Sequence, residues 1–165
     1  MVCNLVLHQD KKGIDMDMIL AVRIALIASG FFLWLGMLTG VWKYLQIRKS
    51  EKSRAHYYVD IAHRASLLYA SACLILAVLA YFSVWDDGVD FILVVGNIIF
   101  FVAAVLSYIV HGLLKDTTNQ LKQPHQAGPW TLPPILMSLF MWSLIIVELG
   151  ATTALWIGAS IQLWY

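Results

Sequence analysis

The chain has 165 residues, 61% hydrophobic and 13% charged, with a formal net charge of +1 and a mean hydropathy of +0.76. Soluble domains run at roughly 45–50% apolar and about 25% charged, and a chain this short cannot hide so much apolar surface inside itself, because the buried fraction is limited by size. The near-neutral charge gives no basis for nucleic-acid binding, and two distant cysteines, Cys3 and Cys73, argue against a disulfide framework.

Residues 1–17 carry Asp10, Lys11, Lys12, Asp15 and Asp17 ahead of the first apolar run. That run exceeds the roughly 7–15 residues of a signal-peptide core and no clear cleavage site follows, so it reads as a retained span. Four apolar runs follow one another, at about 18–42, 56–85, 91–114 and 134–163. Each is long enough for a helix across a hydrocarbon core of about 30 Å, and none shows the alternation a membrane barrel needs. The expected fold is therefore all-α: a four-transmembrane-helix bundle in one domain, 1–165, without an internal repeat.

The connecting loops differ in charge. The first, 43–55, holds Lys43, Arg48, Lys49, Lys52 and Arg54 against Glu51; the second holds Asp86, Asp87 and Asp90; the third, 115–133, has Lys115, Asp116 and Lys122 with Pro124, Gly128, Pro129 and Pro133. The positive-inside rule places the first and third loops in the cytoplasm and both termini outside, as in a bacterial inner-membrane protein. Trp42, Trp85, Trp130, Trp164 and Tyr165 fall near span ends, where an interfacial aromatic belt is expected.

Ionisable residues inside spans are costly and each needs a reason. At the start of the second span His56, Asp60 and His63 follow at i, i+4, i+7, one face of a helix, with Arg64 adjacent and Tyr57 and Tyr58 in the same turn. His111 closes the third span at the same end, Tyr108 lies one turn deeper, and His125 sits in the third loop. Neutral imidazole is the commonest metal ligand, a nearby carboxylate can orient it, and bundles build cofactor sites from facing helices. The pattern allows a haem or metal site walled by the second and third spans. It equally allows hydrated interfacial histidines with a local Asp60–Arg64 ion pair. The spacing is not the HExxH signature of a zinc hydrolase. Deeper in the membrane, Arg23 and Glu148 read as a buried ion pair, or else Glu148 lines a substrate or proton path. Gly30, Gly36 and Gly40 in the first span, and Gly150, Ala151, Ala154, Gly158 and Ala159 in the fourth, read as helix-packing positions within a bundle or an oligomer.

Arg54-Ala55-His56 at the entry to the second span, Gly96-Asn97-Ile98-Ile99 in the third, the four-span layout and the Gly/Pro-containing third loop together resemble styrene oxide isomerase and its hydroxylaminobenzene mutase relatives. The resemblance implies a homotrimer with a haem b near subunit contacts and His56 as its axial ligand. It also implies ferric iron acting as a Lewis acid on an oxygenated small apolar substrate that enters from the lipid. The family's assisting asparagine and tyrosine would fall at Ala62 and Val110, so the chain departs from the pattern there, with Asp60, His63, Tyr108 and His111 as neighbouring candidates for orienting substrate or moving protons, and with Tyr57 and Arg64 beside the haem. A non-catalytic haem protein with two histidine ligands and an accessory subunit without a cofactor remain open at this point.

Overall fold

The structure, a computed structural model, describes residues 19–165; Cys3, the charged segment before the first run and Met18 lie outside the described residues. Four long helices make up the fold: α1 Leu20–Lys49, α2 Tyr57–Tyr81, α3 Asp87–Leu114 and α4 Pro134–Trp164. All four are long and apolar enough to cross a membrane. Between α3 and α4 a small antiparallel ribbon, β1 His125–Ala127 with β2 Trp130–Leu132, pairs His125 with Leu132 and Ala127 with Trp130. Among the described residues the ribbon is the one non-helical element, in the loop where the sequence showed only its prolines and Gly128. Its turn passes through Gly128 at φ +61, a conformation that only glycine adopts without steric cost.

The helix ends depart from the sequence expectation in three places. α1 continues to Lys49, two turns past Trp42, because Lys43–Lys49 is helical although no longer apolar. Trp42 accordingly packs inward, against Gly112 of α3. α2 stops at Tyr81, and Trp85, in the connection, donates its indole N–H to the Ala154 carbonyl of α4 at 2.8 Å. α3 begins at Asp87 rather than Phe91, since the Asp86 side chain accepts the Gly88 N–H at 3.0 Å and caps the helix. That early start carries Asp90 one turn into α3, where it is fully buried, with neither carboxylate oxygen hydrogen-bonded.

The packing is of the kind that an apolar medium favours. The core is built largely from small residues, among them Ala21, Ala25, Ala62, Ala70, Cys73, Ala77 and Ala80, with Phe32, Leu76, Val94 and Leu155 between them. Large apolar side chains such as Ile27, Leu68, Ile92, Ile135 and Leu149 face outward. Small residues inside allow close helix contact when the surrounding medium is as apolar as leucine, whereas water would penalise so large an exposed apolar surface. α1 packs chiefly on α2, and α4 lies on the far side against α3 and α2.

Of the expected packing positions, Gly36, Gly40 and Gly158 serve as such. An added Cβ would meet Leu67 Cδ2 at 2.6 Å, His63 Cε1 at 2.9 Å and Trp85 Nε1 at 2.5 Å respectively. Ala151 and Ala159 are buried, but Gly30 and Gly150 face open space.

The Arg23–Glu148 pair is not formed. Arg23 is exposed on the first turn of α1, and Glu148 Oε1 is buried without a partner. The two helices that carry them lie on different sides of the bundle, which is why apolar context alone suggested a pair that the packing does not permit. Glu148 instead stands one turn from Thr152, whose hydroxyl donates to Asn97 Oδ1 at 3.1 Å while Asn97 Nδ2 donates to the Leu93 carbonyl at 3.0 Å.

Candidate functional site at the basic end

The C-termini of α1 and α3, the N-termini of α2 and α4 and both basic loops meet at one end of the bundle, and the residues singled out from the sequence lie there in two groups. The first faces α1. Asp60 bridges Lys43 Nζ at 2.6 Å and Arg64 at 2.8 Å. His63 places Nδ1 2.8 Å from the Gly36 carbonyl. Gly40, one turn on, leaves room for the ring. The Asp60–Arg64 ion pair is therefore present, joined by a lysine from the neighbouring helix.

The second group faces α3 and the third loop. Tyr58 is buried, stacked on Tyr108 with ring centroids 6.0 Å apart, and 5.1 Å from the His111 ring. Its hydroxyl accepts the backbone N–H of Gln120. Gln120 fastens the loop further: Ser107 Oγ donates to its Oε1 at 2.9 Å, and His125 Nδ1 lies 3.1 Å from its carbonyl. His111 Nδ1 is 2.8 Å from Asp116 Oδ1, and Asp116 Oδ2 accepts the Gly128 N–H at 2.6 Å. Burial works against the charged form of Asp116, but the Gly128 N–H and His111 outweigh it and hold the carboxyl below its usual range.

His56 stands between the groups. It is the N-cap of α2, and its own N–H donates to Gln46 Oε1 of α1 at 2.9 Å. Its ring is 6.4 Å from that of Tyr58. The ring borders two adjoining cavities, one of about 600 Å³ toward Trp42, Leu45 and Arg54, and one of about 450 Å³ toward Thr117, Asn119 and Lys122. Its Nδ1 is buried and has no hydrogen-bond partner. Burial, reinforced by Lys115 and opposed by Asp116, lowers the pKa of the ring, so the neutral imidazole, the form that binds metals, is favoured.

The i, i+4, i+7 spacing thus does not place His56, Asp60 and His63 in one site: Asp60 and His63 are engaged with α1, while His56 borders the cavities. Tyr57 is half-exposed, and its neighbour Tyr58, named in the sequence but given no role, is the buried aromatic at the centre. Adjacent aromatic residues at a helix start give no sign of which turns inward until the helix has a neighbour. Asp116 and Gln120 are the residues that tie the loop to His111 and Tyr58.

Among the described residues no three His, Cys, Asp or Glu side chains come together to hold a metal ion, so the donor set does not suit a zinc site with three protein ligands. A haem needs one or two axial ligands, and His56, which borders a cavity and has a ring nitrogen without a hydrogen-bond partner, suits that smaller demand. Comparison with protein-family models, with curated proteins and with solved structures finds no match. What the fold and site define is a class: among the described residues, four helices long and apolar enough to cross a membrane, with the histidines gathered at the basic end.

Proposed function

We propose that the chain is an integral membrane enzyme of the bacterial inner membrane, with the basic end cytoplasmic, that holds one haem b on His56 and isomerises a small apolar oxygenated substrate. The observation that carries this reading is the buried, unpartnered ring nitrogen of His56 beside a cavity. By contrast, the Nδ1 atoms of His63, His111 and His125 each have a partner. Bound there, the haem supplies Lewis-acid polarisation of a substrate oxygen.

The chain's own residues would do the rest. The His56–Gln46 bond fixes the ligand's backbone to α1. Tyr58 and Tyr108 form a stacked aromatic wall. Asp116 holds a proton on His111 Nδ1 and so sets the tautomer of a ring able to exchange protons at its other nitrogen. The outward-facing apolar helices admit an apolar substrate from the lipid. Copies of the chain would assemble as a homo-oligomer, a trimer by the resemblance.

An absorption spectrum of the detergent-purified protein is the test. The expected result is a Soret band that His56→Ala abolishes while His63→Ala leaves it in place. A colourless, metal-free wild-type protein after expression with ample haem supply would overturn the reading.

A further inference from the structure

The larger cavity beside His56 carries more positive charge than the two propionates of a haem would balance. Four cations line it, Lys49, Lys52, Arg54 and Lys115, and no acid does. Among the described residues at this end Asp60 is engaged with Lys43 and Arg64 and Asp116 with His111, while Glu51, in the same loop, lies outside the cavity lining and forms no ion pair. None of the four lining cations has a carboxylate of the described residues within ion-pair distance. Like charges gathered round one concavity repel one another unless something anionic sits among them.

Local backbone geometry maintains the arrangement. The two non-glycine residues with positive φ among those described are Ser53, at 49°, and Lys115, at 53°. Ser53 turns the loop so that Lys52 and Arg54 both reach the cavity, and Lys115 caps α3 in the left-handed conformation that helices normally assign to glycine. A left-handed non-glycine residue carries a steric cost, which a glycine at position 115 would remove together with the cation. The Gln46–His56 bond closes the loop over the cavity. The apolar part of the wall is Trp42, Leu45 and Ala55.

We infer that this cavity is an anion site for a phosphate ester, its oxygens held by Lys49, Lys52, Arg54 and Lys115 and the apolar part of the ligand lying against Trp42 and Leu45. Lysine and arginine bind phosphate oxygens through charge-assisted hydrogen bonds. A basic pocket between helices at a membrane surface suits an anionic phospholipid headgroup, and a soluble phosphate ester offers the same chemistry. The inference does not rest on haem: it follows from the cations and their backbone, and removal of His56 leaves them in place.

The test uses the full chain in a neutral detergent, with thermal unfolding followed as phosphatidylglycerol, phosphatidylcholine or inorganic phosphate is added. The expected result is a Tm several degrees higher with phosphatidylglycerol than with phosphatidylcholine. Arg54→Gln and Lys115→Gly should each lose at least half of that increment, while Arg48→Gln, which removes one charge from the last turn of α1 outside the cavity, retains it. Lys115→Gly should also fold at least as well as wild type without lipid, which separates loss of binding from loss of structure. An equal rise with inorganic phosphate that depends on Arg54 supports the site with a soluble occupant. No rise with either phosphate source, or an equal loss in Arg48→Gln, overturns the site and leaves only the general charge bias of a membrane-facing loop.

Discussion

Asp116 shows how one residue can fix the geometry of the loop. It and His111 are each 8% exposed by side chain, and the carboxylate spends one oxygen on the ring and the other on the Gly128 N–H. Because its folded pKa lies below the ordinary value of 3.8, the stability it contributes is fully present above about pH 3.8 and is lost as the pH falls through the lower folded value. Asp116→Asn keeps the shape but leaves a buried donor facing donors, which typically costs about 1–3 kcal/mol. Thermal melts in detergent should show the variant less stable than wild type at pH 7, with the gap closing below pH 3.8. A gap unchanged down to pH 3 would mean that the carboxylate's charge does not contribute. The residue's importance was not legible in the sequence, where Asp116 looks like any polar residue after a helix. What makes it matter is that Lys115 turns the chain back on itself and brings Gly128 within reach.

Among the elements, the α1–α2 contact is the tightest. Gly36 and Gly40 let α2 approach until Leu67 and the His63 ring fill the space a side chain would take, and His63 then reaches the Gly36 carbonyl. Gly40→Val should force the ring out and break that bond, at about 1–3 kcal/mol as for other overpacked cores, read as a fall in Tm. His63→Ala should relieve most of the added clash, so the double variant should be less destabilised than the sum of the single ones; strict additivity would show that the two do not touch. The four helices themselves were legible, because long apolar runs leave no other structure whose backbone can be satisfied in lipid. Their ends and rotations were not. The apolar signal of α1 stops near Trp42, yet the helix runs to Lys49, since hydropathy reports the surrounding medium and not the backbone. Helices apolar on all sides also have almost no stripe to set their rotation, so nothing in the spacing revealed that Asp60 and His63 are engaged by side chain with α1 while the His56 ring borders cavities.

Among the described residues charge is divided between the two ends: Asp86 and Asp87 stand where α3 begins, and the opposite end carries most of the lysines and arginines, around His56. This division was legible from composition alone, whereas the burial of Asp90 and the isolation of Glu148 from Arg23 depend on which helices are neighbours and could not be read from it. The same division carries the orientation proposed above, because cationic loops resist translocation and acidic ones contribute little. The consequence can be tested with single cysteines in a chain whose Cys3 and Cys73 are replaced by serine. Ser53→Cys, in the exposed turn before α2, should react with a membrane-impermeant maleimide only when vesicles are inverted, and Asp87→Cys, exposed at the start of α3, only when they are right side out. Labelling of both in one vesicle orientation would mean that α2 does not cross the bilayer. Exchange of the two patterns would place the His56 cavity on the outer face, away from the cytoplasmic supply of phosphate esters that its four cations are inferred to bind.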